Sequence, residues 1–430
     1  MTQQNLEKDM QENKKKVGIL TSFYEFSSSY SLCSVVENQL TALVKNGYNT
    51  VLFVHDNFKD DSKVPKGVEI RKIVPRFTLI DYSSFQEPTE QLQEEAKTAY
   101  KAFKEHSQDI DVMIEHDLIF QGWFLPYCLA IHKLAQESKI KWFHWIHSAP
   151  SGKQDVKYPH NMRFTLPENS KLVYLNNFHL VKAAETYNIF PKDVRVVYNP
   201  LDPRLFWNLH PLTHSLIEKY GLLDADLIQV YPLSTPRMVS GKGLHTLIEI
   251  MGQLKKLNRS VRLVVCNAHA NDKREKQLIA ETQSFASQNG LSANEVIFTS
   301  LEDEKYELGV PREVVSQLFQ LSNLFIFPSQ SENCSLILLE AMLSKCLLVL
   351  NENVGAMREF GKENALYFKF GSNYDTVNYD DKQSYMKDVA KIILSEFENN
   401  KVLKASRDIR QNYNYETIFT KQILPILHEL

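Results

Sequence analysis

Residues 323–345 read NLFIFPSQSENCSLILLEAMLSK, and the order of residue types in this stretch sets the fold. Leu324 to Phe327 is a short apolar run, as in a buried strand. Pro328 and the polar residues Ser329 to Asn333 stop it. Ser335 to Ser344 then reads as an apolar, helix-forming segment. Strand, polar turn and helix start leave the backbone N–H groups of Cys334, Ser335 and Leu336 without helical acceptors. Such donors, with the helix dipole behind them, favour an anion. Two carboxylates bracket the site: Glu332 in the turn and Glu340 eight residues on, inside LILLEAML, where a charge needs a partner if buried.

The same alternation extends outward in both directions. Downstream, CLLVLN and NALYF read as strands, followed by helices from about 384 to 430. Upstream, LIQVYPLS, VRLVVCN and EVIFTS read as strands separated by the helices HTLIEIMGQLKKL, KREKQLIAETQSFASQNG and PREVVSQLFQLS. The N-terminal half repeats the pattern. Val17 to Ser22 is a first strand, SVVENQLTALVKNG an amphipathic helix stopped at Gly47, and TVLFVHD the next strand. VMIEHD, KWFHWIHSAP, KLVYLNN and VRVVYNP complete that series. Strand–helix–strand repetition implies parallel sheets with ligands at the carboxyl ends of the strands. The expected fold class is therefore α/β, two doubly wound Rossmann-like domains facing across a cleft. The expected boundaries are a disordered tail 1–16, domains 17–205 and 206–412, and a C-terminal helix 413–430 packing back on the first domain. Residues 199–220, with three prolines and no steady period, read as the linker.

Length and composition fit this. A chain of 430 residues exceeds one small core, and 43 % hydrophobic with 23 % charged residues is ordinary for a globular protein. No apolar run is long enough to span a membrane, and the polar first sixteen residues lack the core of a secretory signal. Five cysteines without metal spacing suit buried thiols in a reducing cytoplasm. The net charge of −3, with neither half basic, gives no bulk signal for nucleic acid.

Outside the opening stretch, STPRMVSGKG places Arg237 and Lys242 before a helix in a phosphate-turn context. Two strands end in histidines, at His116-Asp117 and at His147. His144 and His147 lack a third metal ligand, and Asp224-Ala225-Asp226 reads as a capping turn rather than a metal motif. Trp142 and Trp145 read as core or cleft wall.

These residues resemble the GT-B glycosyltransferases, in particular the large retaining group classed as family 4. Glu332 and Glu340 match that family's E-x7-E pair, Arg237 and Lys242 its arginine and lysine, and HWIHSAP its active-site histidine segment. The resemblance implies a nucleotide-sugar donor. Arg237 and Lys242 would clamp the diphosphate, and Asn333, Cys334, Ser335 and Leu336 would cradle it. Glu340 would hold the ribose, and Glu332 and His147 would face the sugar. It also implies retention of configuration and no required cofactor or metal. Two segments depart from the family: YEFSSSYSLC has no glycine, leaving Ser28 and Ser29 as acceptor-side candidates with His116 and Asp117, and NAHAND replaces a glycine turn.

Several segments, among them HWIHSAPS and PLSTPRM, resemble a branch carried by bacteriophage genomes. That branch implies hydroxymethylated pyrimidine in DNA as acceptor, in the host cytoplasm. Arg71, Lys72, Arg76, Lys139, Lys141 and Arg163 would then contact phosphates. The alternatives are a saccharide, glycan or lipid-linked acceptor, an epimerase-like use of the fold, or a non-catalytic sugar-nucleotide-binding protein.

Overall fold

The computed structural model describes residues 15–27, 29–77, 87–152, 154–239 and 241–429. The chain divides into two compact units. One ends at Asp202 and resumes at Tyr413; the other is Pro203–Asn412.

The first unit is built on seven parallel strands, β1 (Lys16–Leu20), β2 (Asn49–His55), β3 (Val68–Val74), β4 (Val112–His116), β5 (Lys141–Ile146), β6 (Ser170–Tyr174) and β7 (Val194–Val196). Their order is β3-β2-β1-β4-β5-β6-β7. The order reverses direction between β1 and β4, as in a doubly wound sheet. The helix Ser31–Lys45 buries Leu32, Val36, Leu40 and Leu43, a helical spacing, against one face of the sheet. It is followed by Gly47 at φ 76, whose N–H donates to the carbonyl of Val44. The chain from Tyr413 onward belongs to this unit because Tyr415, Ile418 and Phe419 are buried with Val17 and Leu40. Arg195 pairs with Glu429 at 2.6 Å, and Gln422 accepts the N–H of Tyr198 at 2.9 Å.

The second unit holds β8 (Leu227–Ser234), β9 (Val261–Ala268) and β10 (Val296–Phe298) in the order β10-β9-β8. It also holds β11 (Leu324–Phe327), β12 (Leu347–Asn351) and β13 (Ala365–Phe368) in the order β11-β12-β13. Side chains join the two pieces. The buried Gln229 amide donates to the Ile326 carbonyl at 2.8 Å and accepts the Ile326 N–H at 2.9 Å. Asn323 accepts the Ile228 N–H, and Ser322 accepts that of Val230. These amides and hydroxyls, with one backbone bond from the Asn323 N–H to the Ile228 carbonyl, meet backbone groups along the join of β8 and β11.

The segment 199–220, read as the linker from its prolines, is helical over much of its length. Pro203–Phe206 and Pro211–Tyr220 are helices. Pro203 and Pro211 stand at first helical positions, where the missing N–H costs nothing, so these prolines start helices rather than break them. No helix among the described residues is long and apolar enough to cross a membrane.

Candidate active site

In the second unit the switch in strand order falls between β8 and β11, and the turns after these two strands meet. Gln330 donates its N–H to the Gly241 carbonyl at 2.6 Å. Gly243 has φ 75, and a Cβ there would lie 2.5 Å from the Pro328 carbonyl oxygen. Only glycine permits both the backbone angle and the approach. Asn351, fully buried at the end of β12, donates to the Ser329 carbonyl at 3.0 Å and ties down the second turn. Tyr231, also buried, donates its hydroxyl to the Lys242 carbonyl at 2.5 Å and fixes the first.

The two turns frame a cleft of about 680 Å³ lined by Arg237, Lys242, Glu332, Cys334, Ser335 and Leu336 on its polar side. Leu233, Val310, Val315 and Ile337 line its apolar side. Lys242 Nζ sits 2.5 Å from Glu332 Oε1, and Ser329 Oγ donates to the same oxygen at 2.8 Å. The helix Leu336–Leu343 starts at the cleft with no side-chain cap. Among the described residues no acceptor takes the N–H groups of Cys334, Ser335 or Leu336. Two cations and a set of unsatisfied N–H donors on one concave surface suit a diphosphate.

Beneath Arg237 lies a polar floor that the sequence did not reveal. Asn267, fully buried at the end of β9, donates to Ser300 Oγ at 2.7 Å and Thr235 Oγ1 at 3.2 Å, and accepts the Ser300 N–H at 3.2 Å. Thr235 opens the turn Thr235–Arg237 and donates to the Ala268 carbonyl at 2.8 Å. One side chain thus joins the ends of β8, β9 and β10. A buried asparagine in an apolar strand was the available signal.

Glu340 stands differently from its expectation. The helix Leu336–Leu343 buries only Leu338 and Ala341, so Glu340 is half-buried and pairs with the exposed Arg312 at 3.1 Å. Neither Glu340 nor Asn333 lines the cleft. The apolar reading of LILLEAML misled because Leu336 and Leu343 face solvent, 63 % and 84 % exposed.

The first unit gathers its strand-end residues into one cluster. His116 Nδ1 and His147 Nε2 are 2.9 Å apart, and His116 Nε2 lies 3.0 Å from Gln39 Oε1. Asp117 has φ 58 and accepts the His147 N–H at 2.8 Å and the Ser148 hydroxyl at 3.1 Å. Burial lowers His147 to about 4, and burial with the neighbouring His147 holds His116 well below the usual range. Burial, opposed by the N–H of His147, raises Asp117 to about 6. Behind them the fully buried Glu115 and His144 meet at 2.8 Å. Burial raises Glu115 to about 8 and lowers His144 to about 3, so the pair carries no net charge. His144 also contacts Ser170 Oγ at 2.9 Å, so both its nitrogens are engaged.

Ser29 is exposed, with its hydroxyl 2.8 Å from that of Ser27, and Ser28 lies outside the described residues. The glycine-free loop is anchored by buried Phe23 and Phe26, whose rings meet edge-on. Trp142 and Trp145 are core residues.

Three of the six cations proposed for DNA contact are held by internal partners. Arg71 is held by Asp109 and Glu69, both at 2.7 Å, and Lys72 by Asp61 at 2.9 Å. Arg163 is buried, donating to the Phe120 carbonyl at 2.8 Å, and cannot reach a phosphate.

No curated protein matches the chain. Among solved structures, a glycosyltransferase from Rickettsia africae is similar at 16 % identity and a TM-score of 0.35, over 97 % of this chain and 98 % of that one. HepE of Anabaena in complex with UDP-glucose is similar at 15 % identity and 0.33, over 97 % and 100 %. The E. coli trehalose-6-phosphate protein bound with UDP-2-fluoro glucose is similar at 11 % and 0.36, over 96 % and 99 %. Likeness at these scores assigns no ligand to this chain. Residues 233–382, the segment that contains Arg237, Lys242, Glu332 and Glu340, match the family described as Glycosyl transferases group 1.

Proposed function

We propose that the chain is a glycosyltransferase that moves a sugar from a nucleotide-sugar donor to an acceptor hydroxyl with retention of configuration. The observation that carries this is the convergence of Arg237, Lys242 and the N–H groups of Cys334–Leu336 on one cleft, inside the segment that matches the group 1 glycosyl transferases. As the bond from the sugar to the diphosphate breaks, its electron pair passes to a phosphate oxygen. Charge then grows where the cations and N–H donors point, so they bind the transition state more tightly than the ground state.

Retention by a covalent intermediate would require an unencumbered carboxylate beside the sugar. Glu332, the cleft-lining carboxylate, is tied to Lys242 and Ser329. Same-face attack suits this arrangement better: the acceptor oxygen bonds to the sugar carbon while its proton passes to the departing phosphate oxygen. A metal ion is not needed for the diphosphate in this reading, because two side-chain cations take its place. The cluster around His147 in the first unit serves the sugar and acceptor side.

For the acceptor, the commitment of Arg71, Lys72 and Arg163 to internal partners favours a saccharide or glycan hydroxyl over DNA. The deciding experiment incubates the protein with a panel of nucleotide sugars and follows diphosphate release with saccharide acceptors and with hydroxymethylated DNA. Release with one donor, stimulated by an acceptor, is expected. An interconverted nucleotide sugar without release would point to an epimerase, and binding without any turnover to a non-catalytic protein. Stimulation by the DNA alone would restore the DNA reading.

A further inference from the structure

Gln39 and His116 stand in line behind His147, and both are only 3 % exposed. Gln39 comes from the helix Ser31–Lys45, His116 from the end of β4, and His147 from just beyond β5. Two hydrogen bonds, of 3.0 Å and 2.9 Å, join the three side chains. We infer that Gln39 and His116 are positioning residues that hold the His147 ring in its Nε2–H form, leaving Nδ1 as its hydrogen-bond acceptor. This rests on the reading that His147 handles the sugar.

The argument follows from counting protons. With Gln39 Oε1 facing it, and Gln39 Nε2 left buried without a partner, the His116 nitrogen carries a hydrogen, since a side-chain amide oxygen only accepts. A neutral imidazole has one N–H, which makes His116 Nδ1 an acceptor. His147 Nε2 is then the donor of the second bond, and His147 Nδ1 is left with a lone pair. Among the described residues, that Nδ1 has no partner. Both rings are neutral because burial disfavours their charged forms. In water an imidazole exchanges between its two N–H forms, and a substrate hydroxyl meets either. Here a sugar hydroxyl meets only an acceptor. The main chain that carries the ring is also held, since Asp117 accepts the His147 backbone N–H at 2.8 Å. Gln39 touches neither donor nor acceptor in this arrangement and acts through His116.

Nitrogen-15 NMR of the histidine rings reads the tautomer directly, in the full chain and without turnover. The wild type should show His147 as one form, protonated at Nε2. Gln39→Met, similar in shape but with only a weak thioether acceptor, should mix the two forms, and Gln39→Glu, which still accepts, should restore the single form. With a working donor, Gln39→Met should lower kcat at least about tenfold with less change in KM, and Gln39→Glu should recover most of it. A wild-type His147 protonated at Nδ1, or a ring pattern identical in wild type and Gln39→Met, overturns the inference. Should Gln39→Met not fold, His116→Leu, which removes the acceptor facing His147 Nε2, replaces it, with the same two ring patterns deciding. Absence of turnover with every donor would defeat the transferase reading while leaving the ring measurement intact.

Discussion

Lys242 Nζ lies 2.5 Å from Glu332 Oε1, joining two turns that are 90 residues apart in the chain. The pair is mostly buried, the lysine side chain 25 % and the glutamate 12 % exposed. An ammonium has three donors, so Lys242 can keep Glu332 and still meet a phosphate oxygen. Glu332 therefore tempers the cation while orienting it. Lys242→Ala should weaken binding of the matching nucleoside diphosphate about thirtyfold or more, the loss typical of a desolvated charge-assisted contact. Glu332→Gln, which removes the competing anion, should bind the same diphosphate more tightly while turnover drops. Calorimetric titration with UDP, GDP and ADP measures both. Unchanged affinity in Lys242→Ala would remove the clamp from the account.

Of the five cysteines only Cys334 is exposed, and it lines the cleft at the helix start. A maleimide should therefore modify one thiol in the folded protein, and the adduct should block the place of the diphosphate. Modification should abolish donor binding, and saturating nucleoside diphosphate should slow it at least about tenfold by mass action. Peptide mapping identifies the labelled residue. Equal labelling rates with and without the nucleotide would place the diphosphate elsewhere.

Asn267 supports the arginine side of the cleft through Thr235. Asn267→Ala leaves Ser300 and Thr235 with fewer partners in a buried place and should cost about 1–3 kcal/mol of stability. Because Thr235 opens the turn that ends in Arg237, donor KM should rise as well. Urea unfolding and donor kinetics on the same variant test the two parts separately. A purely structural Asn267 would lower stability and leave KM alone.

The parallel α/β halves are legible in the sequence because their strands are short apolar runs separated by periodic helices, as at Leu324–Phe327. Arg237, Lys242 and Glu332 are legible through local context, each in a turn between a strand and a helix. What joins them is not. Gln229 substitutes for a ladder step, and Asn351 pins the Ser329 turn. Both are single polar residues in apolar strands, and sequence alone does not say which distant backbone they meet. Glu340 shows a further gap: the run around it is apolar, yet Leu336 and Leu343 are exposed, and sequence alone does not name Arg312 as its partner.

In the proposed reading Arg237, Lys242 and backbone N–H groups would offset the charge of a diphosphate in place of a divalent ion. Prolonged EDTA treatment should leave both diphosphate affinity and donor turnover within about twofold, and added magnesium should not restore Lys242→Ala. Loss of turnover in EDTA that returns with magnesium or manganese would assign the charge to a metal instead.

The buried ionisable groups of the first unit set its pH dependence. Burial lowers His132 and His147 to about 4 and His144 to about 3, with His55 and His116 also lowered. A lowered histidine binds fewer protons folded than unfolded, so its contribution is complete above the ordinary histidine value, about 6.5, and drains away as pH falls below it. Glu115, raised to about 8, and Asp117, raised to about 6, act in the opposite sense. Their contribution is full below the ordinary carboxyl range, about 4, and is lost as pH rises from there to those values. His160 is lowered and Glu37 raised as well, so six histidines outweigh three carboxyls on the acid side, and between neutrality and about pH 8 the loss of the Glu115 contribution sets the slope. The first unit should be most stable near about pH 7, weaken clearly by about pH 5 and decline gently between about pH 7 and 8. Trp142 and Trp145 are buried in this unit, so their fluorescence follows its unfolding in urea. A midpoint that rises from pH 7 to pH 5 would mean that the histidines are charged in the folded protein, and the neutral His116–His147 pair would fall with it.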